Sequence, residues 1–279
     1  MSDGKRMAGK VAFITGAARG QGRAHAVRLA AEGADIIAVD SCTDVGSVSY
    51  PMATEADLAE TAEQVAAQGR KAVTRRADVR DLDALQAAFD AGTAELGPVQ
   101  AVVANAGIAS FSSFRELTAE QWRDMIDINL TGVFHTAKVA VPSMVDAEAG
   151  GSMVFTSSTA GLKGIPNIAH YVAAKHGIVG LMRTLANELG PHGIRVNTVH
   201  PTNVDTDMIH NRAARQLFTP PELEPTLENS IPALQSLHVL QVPWAETSDV
   251  SNAVAFLLSD EARYITGATL PVDAGATAR

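Results

Sequence analysis

Seven segments, residues 11–15, 34–39, 71–76, 99–104, 152–156, 194–199 and 269–272, read as short strands, most of them rich in Val and Ile. Between them, residues 21–32, 54–68, 81–96, 118–145, 170–189 and 248–258 carry apolar positions at helical spacing. Strands alternating with amphipathic helices form βαβ units, whose crossovers cover both faces of a parallel sheet. The pattern predicts a doubly wound α/β fold with a seven-stranded parallel sheet and helices on both faces. Thr118 followed by Gln121, and Thr54 followed by Asp57, suit helix N-caps. One domain over residues 1–279 is expected, since the glycine-rich turn near the start and the polar helix in the middle fit one site on one sheet.

Two stretches break the rhythm, residues 41–53 and about 202–246. Connections in α/β units are usually about two to six residues, and longer ones tend to carry function. Both follow carboxyl ends of strands, where open α/β sheets bind ligands. The first reads as an insertion. The second carries Met208, Ile209, Leu217, Phe218, Leu223, Leu227, Ile231, Leu234, Leu237, Leu240 and Trp244 with few charges, as a lid over an apolar substrate would.

Composition narrows the partners. Hydrophobic residues make up 46% of the chain, enough for a sizeable core, and the formal charge of −9 opposes nonspecific nucleic-acid binding. The single cysteine, Cys42, excludes an internal disulfide and a cysteine-cluster metal site. The eight histidines show no ligand spacing with carboxylates, so no metal is expected; His170 and His200 are expected to border the pocket and tune its polarity. No segment approaches the roughly 18 apolar residues of a membrane span, and the amino terminus has no apolar signal core. A cytoplasmic protein acting on a small molecule is expected, with no nucleic-acid or membrane partner.

Chemistry concentrates in two places. Thr15-Gly16-Ala17-Ala18-Arg19-Gly20-Gln21-Gly22 joins the first strand to the first helix, where glycines let backbone N–H groups and the helix dipole approach a pyrophosphate. Asp40 ends the second strand, eighteen residues past Gly22, where a carboxylate accepts from ribose hydroxyls and repels a 2′-phosphate. This favours NAD, although the basic Arg19 in the turn points toward NADP. Further on, Tyr171 and Lys175 are four apart on one helix face, and Ser158 lies thirteen positions before Tyr171 at a strand end. A positive neighbour favours the phenolate, which suits proton exchange near neutrality. Taken singly, Tyr171 is a packing residue, Lys175 a solvated charge and Ser158 a strand-end cap; their joint register argues for catalysis.

With Asn129 added, these residues resemble the short-chain dehydrogenase/reductase family from about Lys10 to Asp273. The resemblance implies a Rossmann-type domain in which Tyr171 exchanges the proton, Ser158 polarises the substrate oxygen, Lys175 tunes Tyr171 and holds the nicotinamide ribose, and Asn129 positions a relay water. Gly16, Arg19, Gly20, Gln21, Gly22 and Asp40 would contact NAD. So would the adenine pair Asp78-Val79, the turn Asn105-Ala106-Gly107, and Pro201, Val204 and Thr206 beside the nicotinamide amide. Ala104 stands where the family usually has a second asparagine, and Thr202 where it has glycine.

Residues 41–53, the Tyr50-Pro51-x-Ala53-Thr54 exit, Ala77-Asp78-Val79-Arg80-Asp81, His200-Pro201-Thr202-Asn203-Val204 and Leu270-Pro271-Val272-Asp273-Ala274-Gly275 resemble a carveol-dehydrogenase-like, mycofactocin-coupled subgroup. This implies a small hydrophobic secondary alcohol oxidised to its ketone, NAD held tightly beneath the insertion, re-oxidation by mycofactocin, and a homotetramer. Two alternatives are an NADPH-dependent ketone or 3-oxoacyl-thioester reductase, opposed by Asp40, and a catalytically silent NAD-binding redox sensor, opposed by the intact polar set.

Overall fold

The computed structural model describes residues 5–278; Met1 to Gly4 and Arg279 of the expected domain lie outside the described residues. Seven parallel strands form one sheet in the order β3-β2-β1-β4-β5-β6-β7. They are β1 (Val11–Thr15), β2 (Asp35–Asp40), β3 (Ala72–Arg76), β4 (Ala101–Ala104), β5 (Gly151–Thr156), β6 (Ile194–Pro201) and β7 (Thr269–Val272). The helices are α1 (Gly20–Ala31), α2 (Glu55–Ala67), α3 (Leu82–Leu96), α4 (Ala119–Ile126), α5 (Gly132–Asp146), α6 (Ala169–Leu189), α7 (Arg212–Leu217), α8 (Leu227–Ser236) and α9 (Thr247–Leu258).

Strand alternation builds two cores. Val11 and Phe13 face a layer made by α3 to α6, while Ala12 and Ile14 face one made by α1, α2 and α9. Phe13 meets Phe89 of α3 edge-on, with ring centroids 5.1 Å apart. Removing either buried ring costs about 3–5 kcal/mol. Ala104 keeps strict register with Phe155 and packs in the core, so the missing asparagine leaves the sheet continuous. The chain moves outward through β2 and β3, then restarts at β4 on the other side of β1. This reversal opens a crevice at the carboxyl ends of β1 and β4.

Both expected capping boxes are present: Thr54 and Asp57 start α2, and Thr118 and Gln121 start α4. Residues 118–145 differ from the expected single helix. A π-turn, Asp127–Thr131, separates α4 from α5 and adds one residue to the winding at Asn129. Residues 202–246 contain α7 and α8, which periodicity did not reveal. The first has six residues, and the second carries Pro232 inside it.

Candidate active site

Steric demand fixes the glycine turn. Gly16 and Gly20 have φ of 68° and 54°, a region that glycine enters freely. A Cβ on Gly22 would stand 1.9 Å from the Gly16 carbonyl oxygen, and one on Gly16 would stand 2.7 Å from Ala106 Cα. The turn therefore packs flat against the Asn105-Ala106-Gly107 loop. Asn105 stitches the two together, donating from Nδ2 to the carbonyls of Thr15 and Gly16 and accepting from the Thr156 hydroxyl. At the start of α1, Arg19 occupies the N-cap position in extended backbone without a side-chain cap, and no acidic residue lies in the first turn. Buried Gln21 Oε1 also lacks a hydrogen-bond partner among the described residues. Uncapped amides, the positive end of the helix dipole and the glycine cradle fit the pyrophosphate of a dinucleotide.

Asp40 is held by two backbone amides, with Ala18 N–H donating to Oδ2 and Cys42 N–H to Oδ1, each at 3.1 Å. Arg19 is committed elsewhere. Its Nη1 pairs with Asp207 at 2.9 Å, and its Nη2 donates to the Pro51 carbonyl at 2.6 Å. Asp78 lies past β3; burial opposes its ionisation, but hydrogen bonds from the Arg80 side chain and backbone prevail and hold its carboxyl below the ordinary value. Val79 is buried and packs on Gly132, where a Cβ would meet it at 2.5 Å.

The second cluster sits across the crevice. Ser158 caps the short turn Thr159–Gly161, its Oγ accepting from Ala160 N–H at 3.1 Å. Tyr171 lies in the first turn of α6, and Lys175 one turn on, with Nζ 5.4 Å from the phenol ring centroid. Lys175 Nζ donates to the Thr156 carbonyl at 2.8 Å. The expected lowering of Tyr171 by Lys175 is not the balance found. Burial pushes the phenol up to about 12, against a hydrogen bond from Ser158, and pushes Lys175 down to about 7. Desolvation dominates for both side chains, and among the described residues no carboxylate pairs with Lys175.

Asn129 sits beneath the loop after β4. It is fully buried, its Oδ1 accepting from Ile108 N–H at 2.8 Å and its Nδ2 donating to Ile108 C=O at 2.9 Å. Both ends of the amide thus clamp the loop after β4, behind Gly107. His200 and His170 also stand behind the wall instead of bordering the pocket. His200 Nδ1 bonds the Ser158 carbonyl at 2.7 Å, and because that oxygen only accepts, the proton is on Nδ1 and Nε2 accepts from Thr198. His170 bonds Ser110.

One cavity of about 900 Å³ gathers the remaining expected residues. Gly16, Arg19, Gly20, Gln21, Gly22, Asp40, Asp78, Val79, Asn105, Ala106 and Gly107 line its nucleotide side, and Ser158, Tyr171, Lys175, Pro201, Val204 and Thr206 the other. Thr206 donates to the Val204 carbonyl, and Thr202 is tied to His238 at 2.7 Å. Of the apolar residues expected in the lid, Met208, Ile209, Leu217, Phe218 and Leu237 line the cavity. Leu240 is 70% exposed, Leu234 belongs to the interior and Trp244 packs on His210, so only part of that segment faces a ligand.

Residues 41–53 lie across the crevice as a strap. Ser47 Oγ donates to Asp124 at 2.6 Å, Tyr50 Oη accepts from Ala109 N–H at 3.2 Å, and Pro51 is held by Arg19. Sequence reasoning used Tyr50 only as part of an exit motif, because nothing local shows that it meets a loop nearly sixty positions away. Among the described residues no group of three or more His, Cys, Asp or Glu is placed to hold a metal, and no helix is long and apolar enough to cross a membrane.

A family model described as short chain dehydrogenase matches residues 10–217. The chain is 55% identical over 273 residues to (-)-trans-carveol dehydrogenase of Rhodococcus erythropolis, covering 98% of this chain and 99% of that one. It is 38% identical to trans-4-hydroxycyclohexanecarboxylate dehydrogenase of Sinomonas cyclohexanicum, covering 98% and 95%. It superposes on the crystal structure of carveol dehydrogenase from Mycobacterium avium in complex with NAD with a TM-score of 0.97 at 53% identity, over 99% of this chain and 100% of that one.

Proposed function

The chain belongs to the short chain dehydrogenase family, and from that premise we infer that it is an NAD-dependent oxidoreductase interconverting a small hydrophobic secondary alcohol and its ketone. The observation that carries this reading is the single cavity shared by the glycine turn at one end and Ser158, Tyr171 and Lys175 at the other. The relatives named for cyclic secondary alcohols favour a ring alcohol, carveol-like in size, against the Met208, Ile209 and Phe218 wall.

NAD, when bound, supplies the hydride acceptor. The protein does the rest. Amides at the start of α1, Gly20 to Gly22, would hold the pyrophosphate, with Gly16 and Gln21 beside it; Asp40 would take the adenosine ribose, and Asp78 and Val79 would flank the adenine. Asn105, Ala106 and Gly107 floor the groove, while Pro201, Val204 and Thr206 would hold the nicotinamide amide. Ser158 hydrogen-bonds the substrate oxygen and Tyr171 exchanges its proton. Lys175, protonated, offsets the burial of the phenol and holds the nicotinamide ribose. Asn129 acts from behind, fixing the Ile108 backbone and with it the floor beside Lys175, so that its part in positioning a relay water runs through that floor.

Asp40 also argues against the phosphorylated cofactor, since its fixed carboxylate repels a 2′-phosphate. The strap, fastened across the crevice through Ser47, Tyr50 and Pro51, favours slow nucleotide exchange, and that suits re-oxidation in place by a carrier such as mycofactocin. A single domain with this strap and the 202–246 lid, a cytoplasmic location in which lone Cys42 stays reduced, and a homotetramer complete the reading. The tetramer draws support from Trp122 and Phe134, large apolar side chains exposed on α4 and α5.

Tyr171→Phe tests the core of this proposal. The variant should fold and bind NAD as the parent does, yet lose alcohol turnover by about a hundred- to ten-thousandfold. Near-normal turnover would remove Tyr171 from the chemistry.

A further inference from the structure

Tyr50 is 6% exposed and lines the same cavity as Tyr171, between Ala109 and the Arg19 loop. Its oxygen accepts from Ala109 N–H at 3.2 Å, but its own O–H proton has no acceptor among the described residues. Holding the strap to Ala109 uses only a lone pair of the phenol oxygen, and a buried O–H whose proton has no acceptor is costly. Tyr50 is also near enough to the reaction centre that negative charge on it raises Tyr171. The Ala109 bond fixes where the oxygen sits and leaves the proton available to whatever fills the cavity.

We propose that Tyr50 is a second phenol of the active site, a strap residue that donates its hydroxyl proton to an oxygen of the molecule held beside Tyr171 and so positions it. The acceptor is an oxygen of either the alcohol or ketone substrate or the nicotinamide half of the nucleotide. Tyr50 does not exchange a proton with the reacting oxygen; burial raises its own ionisation above the ordinary phenol value, which suits a donor that stays protonated. The inference rests on the proposed function, because the acceptor is a molecule bound for that reaction. It also gives the strap a duty beyond covering the adenosine: its far end reaches the seat of chemistry.

The test uses holoenzyme carrying Tyr50→Phe, with two readouts: the dissociation rate of NAD, followed by native mass spectrometry after dilution into labelled nucleotide, and KM against kcat for a cyclic secondary alcohol. One neutral hydrogen bond corresponds to a change of about three- to tenfold. Faster NAD release at unchanged KM places the acceptor on the nucleotide, and a raised KM at unchanged release places it on the substrate. Either outcome supports the donor role when loosening the strap elsewhere leaves that quantity unchanged, because Tyr50→Phe also removes the Ala109 bond. Both quantities within twofold of the parent would overturn it. Ser47→Ala, which loosens the strap at its Asp124 anchor, is the structural control; if it reproduces the Tyr50→Phe effect, strap docking and not the hydroxyl is responsible. Tyr171→Phe in the same assay separates the two claims, since turnover surviving there refutes the reaction assignment whatever Tyr50 does.

Discussion

Burial acts on Tyr171 and Lys175 in the same sense, favouring the neutral form of each. For Lys175 the consequence is measurable without substrate. Its folded value near 7 lies below the ordinary 10.5, so across that interval the unfolded chain binds more protons and stability rises with pH. Below about 7 both states carry the proton and the cost of burial is constant. Thermal unfolding of nucleotide-free protein should therefore show the parent gaining on Lys175→Met from pH 7 toward 10, with parallel curves at lower pH. Parallel curves throughout would mean that Lys175 is not desolvated. The motif residues were legible because spacing alone constrains them: no side chain fits at Gly22, and one helical turn separates Tyr171 from Lys175. The identity of Asn129 was legible too, but its burial was not, since that depends on a π-turn that leaves no periodic mark. His200 was visible only as a pocket neighbour, because its hold on the Ser158 backbone joins residues 42 positions apart.

At the scale of elements, the strap and the lid meet at one side chain. Arg19 ties Pro51 of the strap to Asp207 of the lid. The ion pair is partly exposed, at 24% and 64%, and is worth little by itself in salt, whereas the short charged bond to the Pro51 carbonyl is stronger. Arg19→Gln should speed NAD release about tenfold in a fluorescence displacement experiment. Asp207→Asn should have a smaller effect that disappears at high ionic strength. Equal release rates for the parent and both variants would show that the two segments move independently. Strands and most helices were readable because apolar period matches burial. Helices α7 and α8 were not, since a six-residue helix and one containing proline give no sustained pattern.

For the whole molecule, strand order decides where everything functional lies. Because all strands run parallel, turn, strap, Ser158 and lid converge at their carboxyl ends, and the reversal between β1 and β4 opens the crevice there; the parallel sheet with helices on both faces followed from alternation, whereas the strand order did not. Assembly is a separate matter of surface. Exposed Trp122 and Phe134 lead us to expect native mass spectrometry to find four chains with nucleotide retained, and a monomer at micromolar concentration would contradict the tetramer. The dual duty of Arg19 and Asp40 limits redesign. Swapping Asp40 for a small neutral residue to admit the phosphorylated dinucleotide would orphan the Ala18 and Cys42 amides, and recruiting Arg19 as the phosphate's counter-ion would unfasten the cover. An engineer could not retune nucleotide preference here without also rewriting how long the nucleotide stays.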